Sequence, residues 1–352
     1  MRPRRRPLAA LLTCALWLPP LVGQTSPPGE GGAPLPLVVT QQEQNALRAA
    51  AFKAENEARY SDAADAFLRL SRAAPARIDW VVAAGRCLGQ SGRFAEAVDL
   101  LDAARKRFEG SVEVNAMLAR TLLLQTERDA GMIQPEVMWA EAAEITEAVL
   151  RRAPDHADCR LLLAQTRYLL GEWDEAQRQA DEAARRHPTR PGAFVLVGRL
   201  ASDRFRLALE TLDRVGDDER ARADAVAALH AERTRAQQAF RKAAALDPSR
   251  AHPHVALSKL ATLDSKPAAA RRHLHDALAV DPEVSVDHAA LTKDMDWRAR
   301  RDLYRSLRAR FDERTDLPQR IRARKSAALR FHEGRALLDG LAFADALAAF
   351  DA

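Results

Sequence analysis

Histidine is the residue whose clustering could do chemistry in this chain. His252, His254, His273, His275 and His288 fall close together, and His-x-His occurs twice. Imidazoles that converge are common ligands of zinc and related metals. Side chains two apart on a helix, however, point about 200° from one another, so neither His-x-His pair can chelate through one helix face. A site would need one histidine from each of two helices, together with a carboxylate or thiolate in a fixed shell of contacts. We therefore expect surface and capping histidines here, with no metal and no cofactor.

Other catalytic patterns are missing from the sequence. There is no Gly-rich phosphate loop, no Gly-x-Ser-x-Gly elbow, no His-Glu-x-x-His helix and no Cys-x-x-Cys pair. The carboxylates are spread among arginines at three- and four-residue spacing, the pattern of a solvated, ion-paired helix surface. The expectation is a protein that is not an enzyme. Cys87 and Cys159 are expected to be two buried free thiols, packing as small apolar groups.

The elements that would position any site are helical. Aromatic residues make up only 5% of the chain, and the Val/Ile/Thr alternation that marks strands is almost absent. Four of the net +5 charges come from Arg2, Arg4, Arg5 and Arg6, ahead of an apolar run from Leu8 to Leu18, Pro19-Pro20 and the small-residue stretch Leu21-Val22-Gly23. That three-part layout predicts a signal peptide over residues 1–23, with cleavage before Gln24, and an exported mature chain. The apolar run is shorter than the roughly 20 residues a bilayer span needs, so no transmembrane segment is expected in the mature chain. Without those arginines the protein is nearly neutral, and no nucleic-acid partner is expected.

After a Pro/Gly-rich linker at 24–43 the chain becomes periodic. GRFAEAV (92–98) and GEWDEAQ (171–177) share Gly, one residue, an aromatic, two residues and Ala. Phe94 follows Tyr60 by 34 residues and Ala97 follows Ala63 by 34, while Pro188 follows Pro154 and Pro282 follows Pro248 by the same step. This pattern resembles the tetratricopeptide repeat, a helix–turn–helix unit of about 34 residues. Units align at about 44–77, 78–111, 112–155, 157–190, 191–249 and 251–284, followed by a degenerate basic stretch at 285–326 and an incomplete unit at 327–352.

The resemblance implies an all-α, right-handed superhelical solenoid of antiparallel helix pairs. Small residues (Gly85, Gly198, Ala63, Ala97, Ala142, Ala176, Ala270) would mark close helix contacts, while Tyr60, Phe94, Trp139 and Trp173 fill the space beside them. Phe67, Leu101 and Phe240 are expected to pack toward the next unit, and Pro75, Pro154, Pro188, Pro248 and Pro282 to close second helices. Two units are long. An insertion near 125–138 reads as a longer loop, and one near 204–230 reads as an elongated helical hairpin turning at Gly216-Asp217-Asp218, about 13 residues added per helix. Packing of that arm against a neighbouring unit is the expected outcome. In the last unit Gly334, Gly340, Phe343, Ala346 and Phe350 occupy repeat positions, and a chain ending at Ala352 without a polar capping unit is expected to be the N-terminal portion of a longer protein or a shortened product.

Function follows from the same resemblance: such solenoids bind a protein or peptide along the concave face, which the first helix of each unit lines. The ninth positions of the units bring Arg86, Arg120, Gln165, Arg199 and Lys259 to that face as partner-binding residues, beside a mostly acidic second position at Asp79, Glu113 and Asp158. The two stripes either grip a partner or satisfy one another. The family's two-carboxylate clamp is not matched, because the fifth positions read Arg48, Val82, Ala116, Leu161, Val195 and Val255. The basic stretch Trp297–Arg330 is expected to be a solvated helix whose arginines lie over apolar packing. The expectation is an exported interaction scaffold; the alternative is the helical repeat region of a longer exported enzyme, such as a peptidase, with its catalytic domain after residue 352.

Overall fold

Thr40 starts the first helix. Its hydroxyl accepts from the Glu43 N–H at 3.3 Å and the Glu43 carboxylate accepts from the Thr40 N–H at 2.8 Å, a reciprocal cap. From that point a computed structural model describes residues 40–129, 132, 134–216 and 218–351. The signal peptide and residues 24–39 of the expected linker lie outside the described residues. The chain divides into two units, Met1–Leu35 and Pro36–Ala352, and every helix below belongs to the second.

Among the described residues the structure is all helix. Six pairs follow one another: α1 (Gln41–Asn56) with α2 (Tyr60–Ala73), α3 (Ile78–Ser91) with α4 (Phe94–Arg107), α5 (Val112–Arg128) with α6 (Pro135–Arg152), α7 (Ala157–Leu169) with α8 (Trp173–Arg186), α9 (Pro191–Arg214) with α10 (Glu219–Leu246), and α11 (Ala251–Leu263) with α12 (Pro267–Val280). Then come α13 (His288–Thr292), α14 (Trp297–Asp312), α15 (Gln319–Asp339) and α16 (Phe343–Asp351). Neighbouring helices pack antiparallel, and first helices also touch first helices of the next pair, as α3 does α5 and α5 does α7. This is the expected solenoid of helix pairs.

The repeat positions have the physical roles their residue types suggest. Ala63, Ala97, Ala142 and Ala176 are wholly buried. A Cβ at Gly85 would stand 2.9 Å from Leu101, and one at Gly198 would stand 2.7 Å from Phe240, so each large side chain of the second helix seats on the glycine of its own first helix. Leu101 also reaches forward, clustering with Val114 and Leu118 of the next pair. Phe67 lies between Phe52 (ring centroids 5.4 Å apart) and Trp80 of the next pair (6.1 Å). Pro75, Pro154, Pro188, Pro248 and Pro282 each stand two residues beyond the last helical residue of α2, α6, α8, α10 and α12, where the backbone can no longer bond as a helix.

In the pairs α1–α2, α3–α4, α7–α8, α11–α12 and α15–α16 the residue two places before the second helix has a left-handed conformation. Gly92 (φ 84°) and Gly171 (φ 79°) take it freely, and Ala58, Ser265 and Leu341 take it with φ between 56° and 60°, at a cost of roughly 1 kcal/mol each. Leu341, not Gly340, is therefore the turn residue of the last pair. Gly340 is small for another reason: a Cβ there would stand 2.3 Å from the Trp297 ring.

Two insertions resolve differently. The extra residues near 125–138 are mostly helical rather than a long loop: α5 runs on to Arg128 and α6 starts at Pro135. The apolar periodicity of α5 continues through Leu122 and Leu123, and Trp139 Nε1 donates to Thr126 Oγ1 at 3.0 Å across the pair. The insertion near 204–230 is the expected hairpin, with α9 at 24 residues and α10 at 28 against 13 and 14 for α7 and α8. Phe205, Ala208 and Ala225 are buried in it, and the ion pairs Arg206–Asp203 and Arg214–Glu210 run along its own helix. The links to neighbouring pairs lie at its base, where Arg204 meets Asp174, Arg233 meets Asp264 and Arg235 meets Asp181. Contrary to expectation, the arm is held by its own two helices and anchored at its base.

The basic stretch has a core of its own. Tyr304, Leu307 and Phe311 of α14 bury against Leu274, Leu278, Leu291 and Leu329. Its arginines lie outside that core and are largely paired, among them Arg300 with Asp339 and Arg324 with Glu283. Glu333 of α15, with a side chain only 4% exposed, accepts from Arg305 at 2.9 Å and lies 3.3 Å from Arg308.

Candidate partner-binding groove

The first helices α5, α7 and α9 wall a groove of about 500 Å³. Its floor is apolar, formed by Leu123 and Leu124 of α5 and Leu161 and Leu162 of α7. Leu161 lies against Gly192, where a Cβ would stand 2.7 Å from it. Charged and polar side chains rim this floor: Arg120 and Glu127 from α5, Asp158 and Gln165 from α7, and Arg190 and Arg250 from the residues that precede α9 and α11.

Of the five residues expected on the binding face, the structure brings Arg120 and Gln165 into this groove; Arg86, Arg199 and Lys259 do not line it. Gln165 donates from Nε2 to Glu127 at 2.8 Å. Arg86 pairs with Glu55 of α1 at 2.7 Å, and Arg199 lies over the Tyr168 ring at 5.4 Å. In each case the partner sits toward the C-terminal end of the preceding first helix, not at the acidic second position. Those second positions have other partners instead: Asp79 and Glu113 are met locally, by Arg77 at 3.0 Å and the Ser111 hydroxyl at 2.9 Å, and Asp158 is met by Arg190 ahead of the next pair at 3.2 Å. The two stripes do not neutralise one another. Arg120 is exposed and has no ion pair among the described residues, which makes it the cation of the groove that is open to an acidic ligand group.

Sequence reasoning missed Glu127, Arg190 and Arg250. The signal available for the two arginines was their shared place one residue before a first helix, a place Arg77 also holds before α3. Glu127 lies in the lengthened end of α5, outside the 34-residue frame, and had no repeat position to identify it.

The cysteines are inert packing groups. Cys87 and Cys159 are free and wholly buried, and burial pushes their thiols up to about 11 and about 12. The histidines divide. His252 is exposed; His254 of α11 faces His273 of α12 at 6.3 Å between ring centroids; and His288 stacks on His332 at 3.7 Å while its Nδ1 lies 2.9 Å from the Tyr304 hydroxyl. No helix among the described residues is long and apolar enough to cross a membrane.

Residues 138–194, which run from α6 into α9 and include one wall of the groove, match the tetratricopeptide-repeat family model. PilW, a widely conserved type IV pilus biogenesis factor, is similar in structure with a TM-score of 0.50 at 14% identity, over 72% of this chain and 98% of that one. The human IFIT1 dimer with m7Gppp-AAAA also gives 0.50, at 13% identity over 88% of this chain and 76% of that one. A thermophilic tetratricopeptide-repeat protein of Thermus thermophilus gives 0.40 at 18% identity, over 53% and 98%. No curated protein sequence matches the chain. Fold and matched segment together define the architecture, a solenoid of helix pairs. Residues 138–194 carry the tetratricopeptide-repeat match, and the helix pairs before and after them continue the same fold.

Proposed function

We propose that this protein is an exported interaction scaffold that holds an extended protein or peptide segment in the groove of α5, α7 and α9. The observation that carries the reading is the groove itself: an apolar floor between first helices, rimmed by charge, with Arg120 exposed and unpaired beside it. An extended segment would lay apolar side chains on Leu123, Leu124, Leu161 and Leu162 and present an acidic side chain to the Arg120 guanidinium, whose planar fork matches a carboxylate. The role is one of binding rather than catalysis. Export rests on the layered N-terminus, Arg2 to Gly23, and would place the scaffold in the periplasm or at the cell surface.

The test is affinity capture from envelope extract with residues 24–352 as bait and the Arg120→Glu variant as control, partners being identified by mass spectrometry. The expected result is a partner retained by the wild type and weakened at least about tenfold by the charge reversal, with the thermal melt unchanged, since Arg120 is exposed and supports no packing. A partner held equally by both proteins would remove the groove from the reading. N-terminal sequencing of the mature protein should begin at Gln24; an intact Met1 would refute export.

A further inference from the structure

The two histidines that face one another across the sixth pair share their space with a carboxylate. His254 sits in the first turn of α11, while His273 and Asp276 lie three residues apart on α12, which places both on one face of that helix. One ligand atom from each of the three lies within 4.8 Å of the other two. The His254 Nδ1 stands 3.9 Å from an Asp276 carboxylate oxygen, too far for a hydrogen bond. The Nδ1 atoms of His254 and His273 are both buried and neither has a hydrogen-bond partner. Two buried ring nitrogens left without partners, converging on one carboxylate, form an incomplete coordination shell rather than a capping arrangement.

We propose that His254, His273 and Asp276 bind a divalent first-row transition metal, such as zinc, between α11 and α12. Two imidazole nitrogens and one carboxylate oxygen are a donor set this class of ion accepts, with water completing a four-coordinate shell. Donors about 2.0–2.2 Å from the ion would be roughly 3.3–3.6 Å from one another, so side-chain rotations that draw the three groups in by about an ångström complete the site. Asp276 is half-exposed, which gives the ion a route in from solvent and leaves room for the water. The bound ion would tie the first helix of the sixth pair to the second, just ahead of the region where the regular repeat ends.

The site also shows what spacing could not. Neither His-x-His pair chelates by itself, but each contributes one member, and the i, i+3 carboxylate supplies the third ligand.

The experiment is equilibrium dialysis of tag-free, chelator-stripped protein against zinc, read with thermal melts and with cobalt(II) absorption as a probe of coordination. The wild type is expected to bind about one equivalent of zinc and to melt several degrees higher with it. His254→Gln, His273→Gln and Asp276→Asn should each weaken binding by about tenfold or more, while His252→Gln, at an exposed neighbour outside the cluster, leaves it unchanged. Because Asp276 is half-exposed, Asp276→Asn is expected to keep the wild-type circular dichroism and so remains informative if a histidine variant misfolds. Failure of the wild type to bind zinc, or binding that survives in folded Asp276→Asn, would overturn the proposal. Loss in His252→Gln equal to that in His254→Gln would do the same.

Discussion

The regular array α1–α12 and the C-terminal segment α13–α16 are built from similar helices but are held together by different means. In the array, one small residue repeats at each helix contact, Ala63, Ala97, Ala142 and Ala176 all being fully buried, and a large side chain seats on a glycine of the partner helix, as Leu101 does on Gly85. In the C-terminal segment the first helix of a pair shrinks to the five residues of α13, and beside the apolar core of Leu291, Leu307, Phe311 and Leu329 polar groups are buried as well: Glu333 beneath Arg305 and Arg308, and the stack of His288, His332 and Tyr304. Close packing of small residues tolerates pH and salt but not volume. A buried charge and stacked imidazoles tolerate some change of volume but not the loss of a partner or the gain of a proton.

That contrast can be broken by substitution. The largest effect is expected at Ala176→Arg, which forces a long cation into a fully buried helix contact and should cost about 4 kcal/mol or more, enough to unfold the α7–α8 region. Urea melts followed by circular dichroism should show a lost or early transition; a melt matching the wild type would mean the pairs are not closely packed there. Next comes Glu333→Ala, which removes the buried carboxylate beneath the partly exposed Arg305 and Arg308, at about 1–2 kcal/mol. Glu283→Ala, which removes the more exposed pair with Arg324, should cost less than about 1 kcal/mol. Equal melting points for these two variants would show that the burial of Glu333 contributes nothing.

A further effect is a pH dependence in the C-terminal segment. Burial first, then stacked His288 and nearby Arg335, push His332 down to about 4. The unfolded chain takes up that proton near pH 6.5, so between about 6.5 and 4 the unfolded state holds more protons and stability falls as pH falls, by up to about 2 kcal/mol. His332→Asn cannot titrate, and the gap between its melt and that of the wild type should narrow on acidification as the wild type alone loses stability. A gap that stays constant from pH 7 to pH 4 would show that the stack does not exclude the proton.

How much of this was legible beforehand depends on distance along the chain. The helix pairs, the closing prolines and the small-residue contacts sit within one 34-residue frame, and the elongated hairpin shows as a late closing proline with helical residues inserted before it; all were readable from spacing. The insertion near 125–138 reads as a loop by its length, whereas Pro135 starts a helix, as proline at a first helical position commonly does. Gly340 was readable as a repeat position, but its smallness serves Trp297, more than 40 residues earlier. For the groove, Arg120 and Gln165 were found by register; Glu127 was not, because it lies in residues that the register skips.

By itself the sequence determined the class of architecture: small residues and aromatics at a constant step can bury their surface only by stacking helix pairs, whatever their neighbours are. Tertiary structure alone decided which polar groups meet. The pairing of Glu333 with Arg305 and Arg308, the alignment of Gln165 with Glu127, and the convergence of His254 with His273 and Asp276 all join residues on different helices. Their meeting is set by how far each helix is rotated and shifted on the next. That rotation follows from the packing of every side chain in the interface, and no local spacing records it.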